Sequence, residues 1–225
     1  MIIHGDCFEE LSKFEDGMFD LCVTDPPYKF ESMGGGFYSK NNSTQREYLN
    51  SIRDLKCCSF SPEQFLDALK PKMKKFYGYF FCNKTLIVPY ITWAKKNKMN
   101  YDVLVMAKSN PIPAYNNHHL SDLEYIIMIR EAGTYFSKEK DLDIYRKFFM
   151  TSCKKGVHPA EKPVELLERF IRVSSKPNDL VIDPFAGSGA TGVACENLGR
   201  KFVGIEITEK YVDYMKEILY NRYGG

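Results

Sequence analysis

The chain has 225 residues, 44% hydrophobic and 27% charged, with a net charge of +2. That length supports one substantial core and one domain, and no run of about 18 apolar residues reads as a membrane span. The small net charge is by itself no sign of a polyanionic partner. The N-terminal MIIHGDCFEEL lacks the basic-then-apolar pattern of a secretory signal. Seven scattered cysteines without a CxxC pair argue against a thiolate metal site and for free thiols in a reducing cytoplasm.

Apolar runs alternate with longer amphipathic stretches. MIIHGD reads as a short strand and CFEELSKF as the helix after it. FDLCVTD reads as a buried strand. Residues 29–60 show no period, carry three consecutive glycines and read as a long loop. SPEQFLDALKPKM begins with a serine cap and Pro62, so it reads as a helix. FYGYFFCN is an aromatic strand, TLIVPYITWAKKNK a helix, and YDVLVMAK a strand. After a loop, LEYIIMIRE is another strand, and residues 133–161 look irregular. PVELLERFIRVSSK is a helix, DLVIDPFAGSGATGVACENLG a strand, glycine turn and helix, KFVGIEI a strand, and TEKYVDYMKEILYNRY a terminal helix. Such alternation predicts an α/β fold with a mainly parallel sheet covered by helices on both faces.

Two short segments carry chemistry. In VTDPPYKF a strand ends on an acidic residue, Asp25, followed by Pro26, Pro27 and Tyr28. The prolines fix φ, so a carboxylate, a carbonyl and an aromatic ring are held in preset positions. In VIDPFAGSGAT a strand ends at Asp183 and a turn carries Gly187 and Gly189 ahead of a helix. Glu206 follows Asp183 by 23 residues, at the end of the next strand, where an acidic residue can bind the ribose hydroxyls of a nucleoside. The turn is neither a full G-x-G-x-x-G nor GxxxxGK[ST], so a ligand with a ribose but no pyrophosphate fits it better than a dinucleotide does. A dehydrogenase would also leave DPPY unexplained.

Together, DPPY at 25–28 and DPFAGSGAT at 183–191 resemble the S-adenosylmethionine-dependent DNA amino-methyltransferases. The catalytic tetrapeptide precedes the cofactor turn, as in the permuted β subgroup. IIHGDC, KSNPIPAYNNHHLSDLEYIIMIRE and HPAEKPVELLERFI match further segments of that family in order. The resemblance implies a Rossmann-like fold with a seven-stranded sheet and one reversed strand at 123–131. It implies a single methyltransferase domain: a catalytic half at 1–131, a short target-recognition segment at 132–157, and a cofactor half at 158–225.

The implied catalytic residues are Asp25, Pro26, Pro27 and Tyr28. The implied S-adenosylmethionine site comprises Asp6 and Cys7 at the adenine, Glu206 and Ile207 at the ribose end, and Asp25. It also includes Asp183, Phe185, Ala186, Gly187, Ser188 and Gly189 around the amino-acid moiety, with Lys162 near its carboxylate; no metal is implied. Asp6 reads equally as the N-cap of the following helix, or as both. Lys162 also reads as a solvated lysine, and each basic cluster (70–75, 95–98, 153–162) as a solvated face.

The expected reaction is methyl transfer to the N6 amine of an adenine flipped out of a specific site in double-stranded DNA. The absence of a Pro-Cys dipeptide argues against a C5-cytosine enzyme, and aspartate rather than serine at 25 favours adenine over N4-cytosine. A catalytically silent, cofactor-binding DNA-recognition subunit is the alternative, and its mark would be a damaged tetrapeptide. A homodimer, a restriction–modification role and a cytoplasmic location complete the expectation.

Overall fold

Period-2 side-chain alternation in the strands decides the layering. The computed structural model describes residues 1–27, 60–111, 119–152 and 162–220. In chain order these contain β1 (Ile2–His4), α1 (Cys7–Lys13), β2 (Leu21–Thr24), α2 (Pro62–Leu69), β3 (Tyr77–Cys82), α3 (Ile87–Lys96), β4 (Asn100–Lys108) and β5 (Leu123–Arg130). Next come β6 (Phe148–Thr151), α4 (Val164–Ser174), β7 (Leu180–Asp183), α5 (Ala190–Asn197), β8 (Lys201–Glu206) and α6 (Glu209–Tyr220). In β2, Cys22 faces one layer while Leu21 and Val23 face the other. In β3, Phe80 and Cys82 pack against α1–α3, and Tyr79 and Phe81 against α4 and α5. Strands buried on both faces need no polar side, which explains their near-continuous apolar sequence.

Helix starts obey local chemistry. The Asp6 carboxylate accepts from the backbone N–H groups of Phe8 at 2.9 Å and Glu9 at 3.2 Å, and Ser61 accepts from that of Gln64 ahead of Pro62. On the other face, Phe170 of α4 stacks on Tyr79 with ring centroids 4.3 Å apart. Tyr79 in turn shares a hydrogen bond with Ser174. These contacts hold α4 against the centre of the sheet.

The strand order is β1-β8-β7-β2-β3-β5-β4-β6. Only β5 runs against its neighbours, pairing antiparallel with both β3 and β4. The reversed strand therefore lies where the resemblance puts it. Among the described residues the sheet has eight strands, one more than expected. The addition, β6, comes from the stretch that looks irregular in sequence and pairs parallel to β4 at the sheet edge. Four residues with only alternate ones half-buried make too short a pattern to register.

β2 leads through α2 to one side of the sheet and β7 through α5 to the other, so the topology reverses between adjacent β2 and β7. In such sheets ligands bind beyond the carboxyl ends of the strands at that reversal. Asp25 and Asp183, 158 residues apart in sequence, both stand there. Among the described residues no helix is long and apolar enough to cross a membrane.

Phe80 is fully buried among Phe65, Phe76 and Tyr90. Phe80→Ala should lower unfolding free energy by roughly 3–5 kcal/mol, read from the denaturant midpoint. An unchanged midpoint would remove this ring cluster as the support of β3.

Candidate active site

Asp183 ties the site together. Its Oδ1 accepts from the Thr24 hydroxyl at 2.6 Å and from the Phe185 N–H at 3.1 Å, and its Oδ2 accepts from the Thr191 hydroxyl at 2.7 Å. One buried carboxylate therefore joins the end of β2, the glycine turn and the first turn of α5. Burial pushes its pKa up to about 6, against the pull of the Thr24 and Thr191 hydrogen bonds. Both of its oxygens are engaged within the protein.

The turn itself runs through Gly187 at φ 53° and Gly189 at φ 83°. Both are in the left-handed region that glycine adopts without a Cβ penalty. A Cβ on Gly189 would also meet the Met215 side chain at 2.5 Å. The Ala186 N–H donates to the Ile205 carbonyl and the Gly189 N–H to that of Ala186, pinning the turn to β8. Ala186 and Ser188 are buried. Phe185 is half-buried against Phe60 and Phe65.

Glu206 ends β8 with its carboxylate gripped on both sides: Oε2 accepts from the Gly187 N–H at 2.9 Å and Oε1 from the Thr208 N–H at 2.8 Å. Each carboxylate oxygen has capacity for a further donor. β1 brings its C-terminal end alongside, since the Gly5 N–H donates to the Glu206 carbonyl at 3.0 Å and His4 Nε2 bonds the Ile207 carbonyl at 3.0 Å. Asp6 is thus placed beside Glu206, and it is an N-cap whose helix amides use only Oδ1. Cys7 is buried, and burial, reinforced by the Asp6 charge, lifts its thiol to about 12. The Ile207 side chain is 64% exposed, open to a ligand at this edge. A carboxylate with acceptor capacity left, beside a glycine turn, has the chemistry to suit the nucleoside part of S-adenosylmethionine.

Across the β7–β2 seam stands Asp25, followed by buried Pro26 and half-buried Pro27; Tyr28 lies outside the described residues. Lys162 is 7% exposed rather than solvated. Its ammonium is paired with Asp25 Oδ2 and lies 3.3 Å from Glu124 Oε2 and 5.2 Å from the Phe81 ring centroid. Among the described residues, Asp25 Oδ1 is buried and has no hydrogen-bond partner. Burial raises the Asp25 pKa; Lys162 pulls it down and Glu124 pushes it up.

Glu124 and Lys108, paired at 2.5 Å, complete this charged group and were not legible as site residues. A lysine ending one strand and a glutamate opening the next look like ordinary strand ends in sequence. Only the antiparallel register of β4 with β5, which sets Met106 opposite Glu124, brings them to Asp25.

The expected target-recognition segment is only partly at this edge. The reversed β5 delivers the chain to the far end of the sheet. There the Ser137 N–H donates to the Val173 carbonyl, Tyr135 lies under Lys176, and Lys147 pairs with Asp102. Residues 133–147 are therefore away from Asp25, and the chain returns along β6 to Thr151, beside Lys108. The basic residues at 70–75 and 95–98 lie at the far end too, before β3 and β4 begin. There Lys72 pairs with Asp16, Lys74 with Asp20 and Lys96 with Glu63, as in solvated surface pairs. His119 is exposed; His118 and His158 lie outside the described residues.

This geometry can be set beside known proteins. A family model described as DNA methylase, for N6 and N4 methyltransferases, matches residues 19–217. The chain belongs to that DNA methylase family. Its methyl donor is S-adenosylmethionine and its substrate is DNA. It is 28% identical over 242 residues to the type II methyltransferase M2.DpnII of Streptococcus pneumoniae, covering 97% of this chain and 89% of that one. Against M2.MboI of Moraxella bovis it is 28% identical over 237 residues, covering 96% and 85%. The crystal structure of an M1.HpyAVI–SAM complex superposes with a TM-score of 0.73 at 27% identity, covering 97% of this methylase and 99% of that chain.

The buried Asp183 makes a pH prediction. Because its folded pKa lies above its ordinary 3.8, its stabilisation is complete below pH 3.8 and is lost as pH rises through about 6. Relative to Asp183→Asn, which stays neutral, the wild-type methylase should lose about 2 kcal/mol of stability between pH 4 and pH 7. Denaturant unfolding of both at each pH measures this, and a constant difference would mean the carboxylate is not buried as described.

Proposed function

We propose that this methylase transfers a methyl group to the N6 amine of adenine, flipped out of a specific short site in duplex DNA, in a single methyltransferase domain. The observation that carries the reading is the free, buried Asp25 Oδ1 beside the Asp183 turn. The lone pair of an exocyclic amine is delocalised into the base. A hydrogen bond from the amine to Asp25 Oδ1, with a second to the Pro26 carbonyl, draws that nitrogen toward tetrahedral geometry and localises the pair. S-adenosylmethionine, when bound, supplies an electrophilic sulfonium methyl. Asp25 then takes the proton that the methylated amine releases. The two prolines keep both acceptors in place, so little reorganisation is needed at reaction. Tyr28, next in the chain, stacks on the flipped base.

The geometry suggests a role for each residue. Glu206 takes the ribose hydroxyls, Asp6 Oδ2 the adenine amine, and Cys7 and Ile207 line that end. The backbone from Phe185 through Ala186, Gly187, Ser188 and Gly189 receives the amino-acid moiety, with Lys162 towards its carboxylate. Asp183 positions the turn through both of its oxygens, and Oδ2, which accepts only from Thr191, keeps capacity for a further donor from the amino-acid moiety. Aspartate at 25 favours adenine over cytosine. The intact Asp25–Tyr28 segment and the open acceptor favour catalysis over a silent recognition subunit.

DNA approaches the carboxyl ends of the strands. Among the described residues of segment 132–157, only the end of β6 and Ser152 stand on that side, so less chain is available for reading sequence than its length suggests. A small reader favours a homodimer sharing the DNA. The type II relatives support a restriction–modification setting, and the buried free thiols Cys7, Cys22, Cys82 and Cys195 suit a reducing cytoplasm.

Two substitutions separate the catalytic arm from the cofactor arm. Asp25→Ala should abolish methylation while cofactor affinity stays within a few-fold, whereas Glu206→Ala should weaken cofactor binding by about 1–3 kcal/mol, both read by calorimetry and methyl incorporation. Retained turnover in the first, or an unaltered dissociation constant in the second, removes that residue from its role. Separately, incubating unmethylated genomic DNA with labelled S-adenosylmethionine and resolving the nucleosides should give N6-methyl-2′-deoxyadenosine. N4-methyl-2′-deoxycytidine as sole product would overturn the adenine assignment.

A further inference from the structure

Outside the residues that the DPPY and glycine-turn motifs point to, one group of charges is buried or half-buried at the same edge. Lys108 ends β4, Glu124 lies near the start of β5, and Lys162 precedes α4. With Asp25 they form an alternating chain of two carboxylates and two ammoniums: Asp25, Lys162, Glu124, Lys108. None is fully exposed; the side chains are 21%, 7%, 18% and 25% exposed. Lys162 is further confined by the Phe81 ring beneath it. Glu124 Oε2 faces Lys162 at 3.3 Å without hydrogen-bond geometry, so it acts on that ammonium through charge. Burial alone would raise the Glu124 pKa, but Lys162 and Lys108 together outweigh it and hold Glu124 below the usual carboxylate range. Glu124 is a fixed anion.

We propose that Glu124 is a positioning residue: by sharing Lys162 with Asp25, it keeps Asp25 Oδ1 open as the acceptor for the target amine. This rests on the reading of Asp25 as that acceptor. An ammonium held between two carboxylates takes one oxygen of Asp25 and leaves the other. With the Glu124 charge removed, nothing draws Lys162 away from Asp25. The ammonium then closes over the carboxylate, covers Oδ1 and withdraws the electron density that the amine needs. Lys108 anchors Glu124 from the other side and sets how much of its charge is left for Lys162.

The groups facing Asp25 act in known directions. Glu124 on β5 raises its pKa, and Lys162 and Lys108 lower it. Asp183 on β7, Cys82 on β3 and Tyr90 on α3 also sense the Asp25 charge. Turnover needs Asp25 ionised, so its titration sets the acid limb of the rate profile. Neutralising Glu124 should move that limb to lower pH, and neutralising Lys108 should move it to higher pH.

The test is single-turnover methylation of unmethylated genomic DNA by the full chain at saturating S-adenosylmethionine, from pH 5 to 9. Wild type, Glu124→Gln, Lys108→Gln and Asp25→Asn are compared, with unfolding midpoints and cofactor affinity measured in parallel. Glu124→Gln should slow the plateau rate on the order of tenfold, with cofactor affinity retained and the acid limb displaced downward; Lys108→Gln should displace it upward. If both limbs stay in place, whatever the rates, Glu124 is a packing residue and the proposal fails while Asp25 stands. If Asp25→Asn methylates DNA at the wild-type rate, the reading of Asp25 falls and this inference falls with it.

Discussion

The site depends on a single buried carboxylate. Asp183 accepts from Thr24 at the end of β2, from the backbone of the glycine turn, and from Thr191 in α5. Neutral hydroxyl donors stabilise this charge only in part, so its pKa stays well above the ordinary range. The methylase accepts that cost at the seam where topology reverses, where the catalytic and cofactor segments must be held in one geometry. A buried polar group is tolerated when its partners are in place and is costly when one is removed.

From that seam the two arms of the site extend in opposite directions. Towards β8 and β1, Glu206 grips the turn through two backbone amides, and Asp6 caps α1 with one oxygen. These carboxylates serve the fold and keep acceptor capacity on the ligand side. Towards β3, β5 and β4, Asp25 sits in a neutralised chain of charges with one oxygen unpaired. The contrast is chemical: the Glu206 side is built of hydrogen-bonded, rigid groups, while the Asp25 side holds a buried acceptor without a partner among the described residues.

Surface charge is organised by the same polarity. The basic residues at 70–75 and 95–98 lie at the amino ends of the parallel strands and pair with neighbouring acids or amides. They are remote from the edge that carries Asp25, at the opposite ends of the strands. The segment after β5 is likewise sent to the far end before β6 brings it back.

Much of this was readable from residue order. The alternation of apolar runs and amphipathic stretches specified the α/β class. The reversed strand at 123–131 came with the family resemblance, as did the pairing of DPPY with the glycine turn. Asp6 as an N-cap was local chemistry. Tertiary structure decided what depends on register and on contacts across the sheet. It added β6, whose four residues acquire meaning only against β4. It showed Asp183 to be a tie between β2 and the glycine turn, because its partner Thr24 stands 159 positions away. It also converted Lys162 from a candidate solvated lysine into the hub joining Asp25 to Glu124 and Lys108. Motifs report residues whose neighbours in sequence matter; a charge shared among four chain segments is specified by how those segments pack, and no local pattern encodes it.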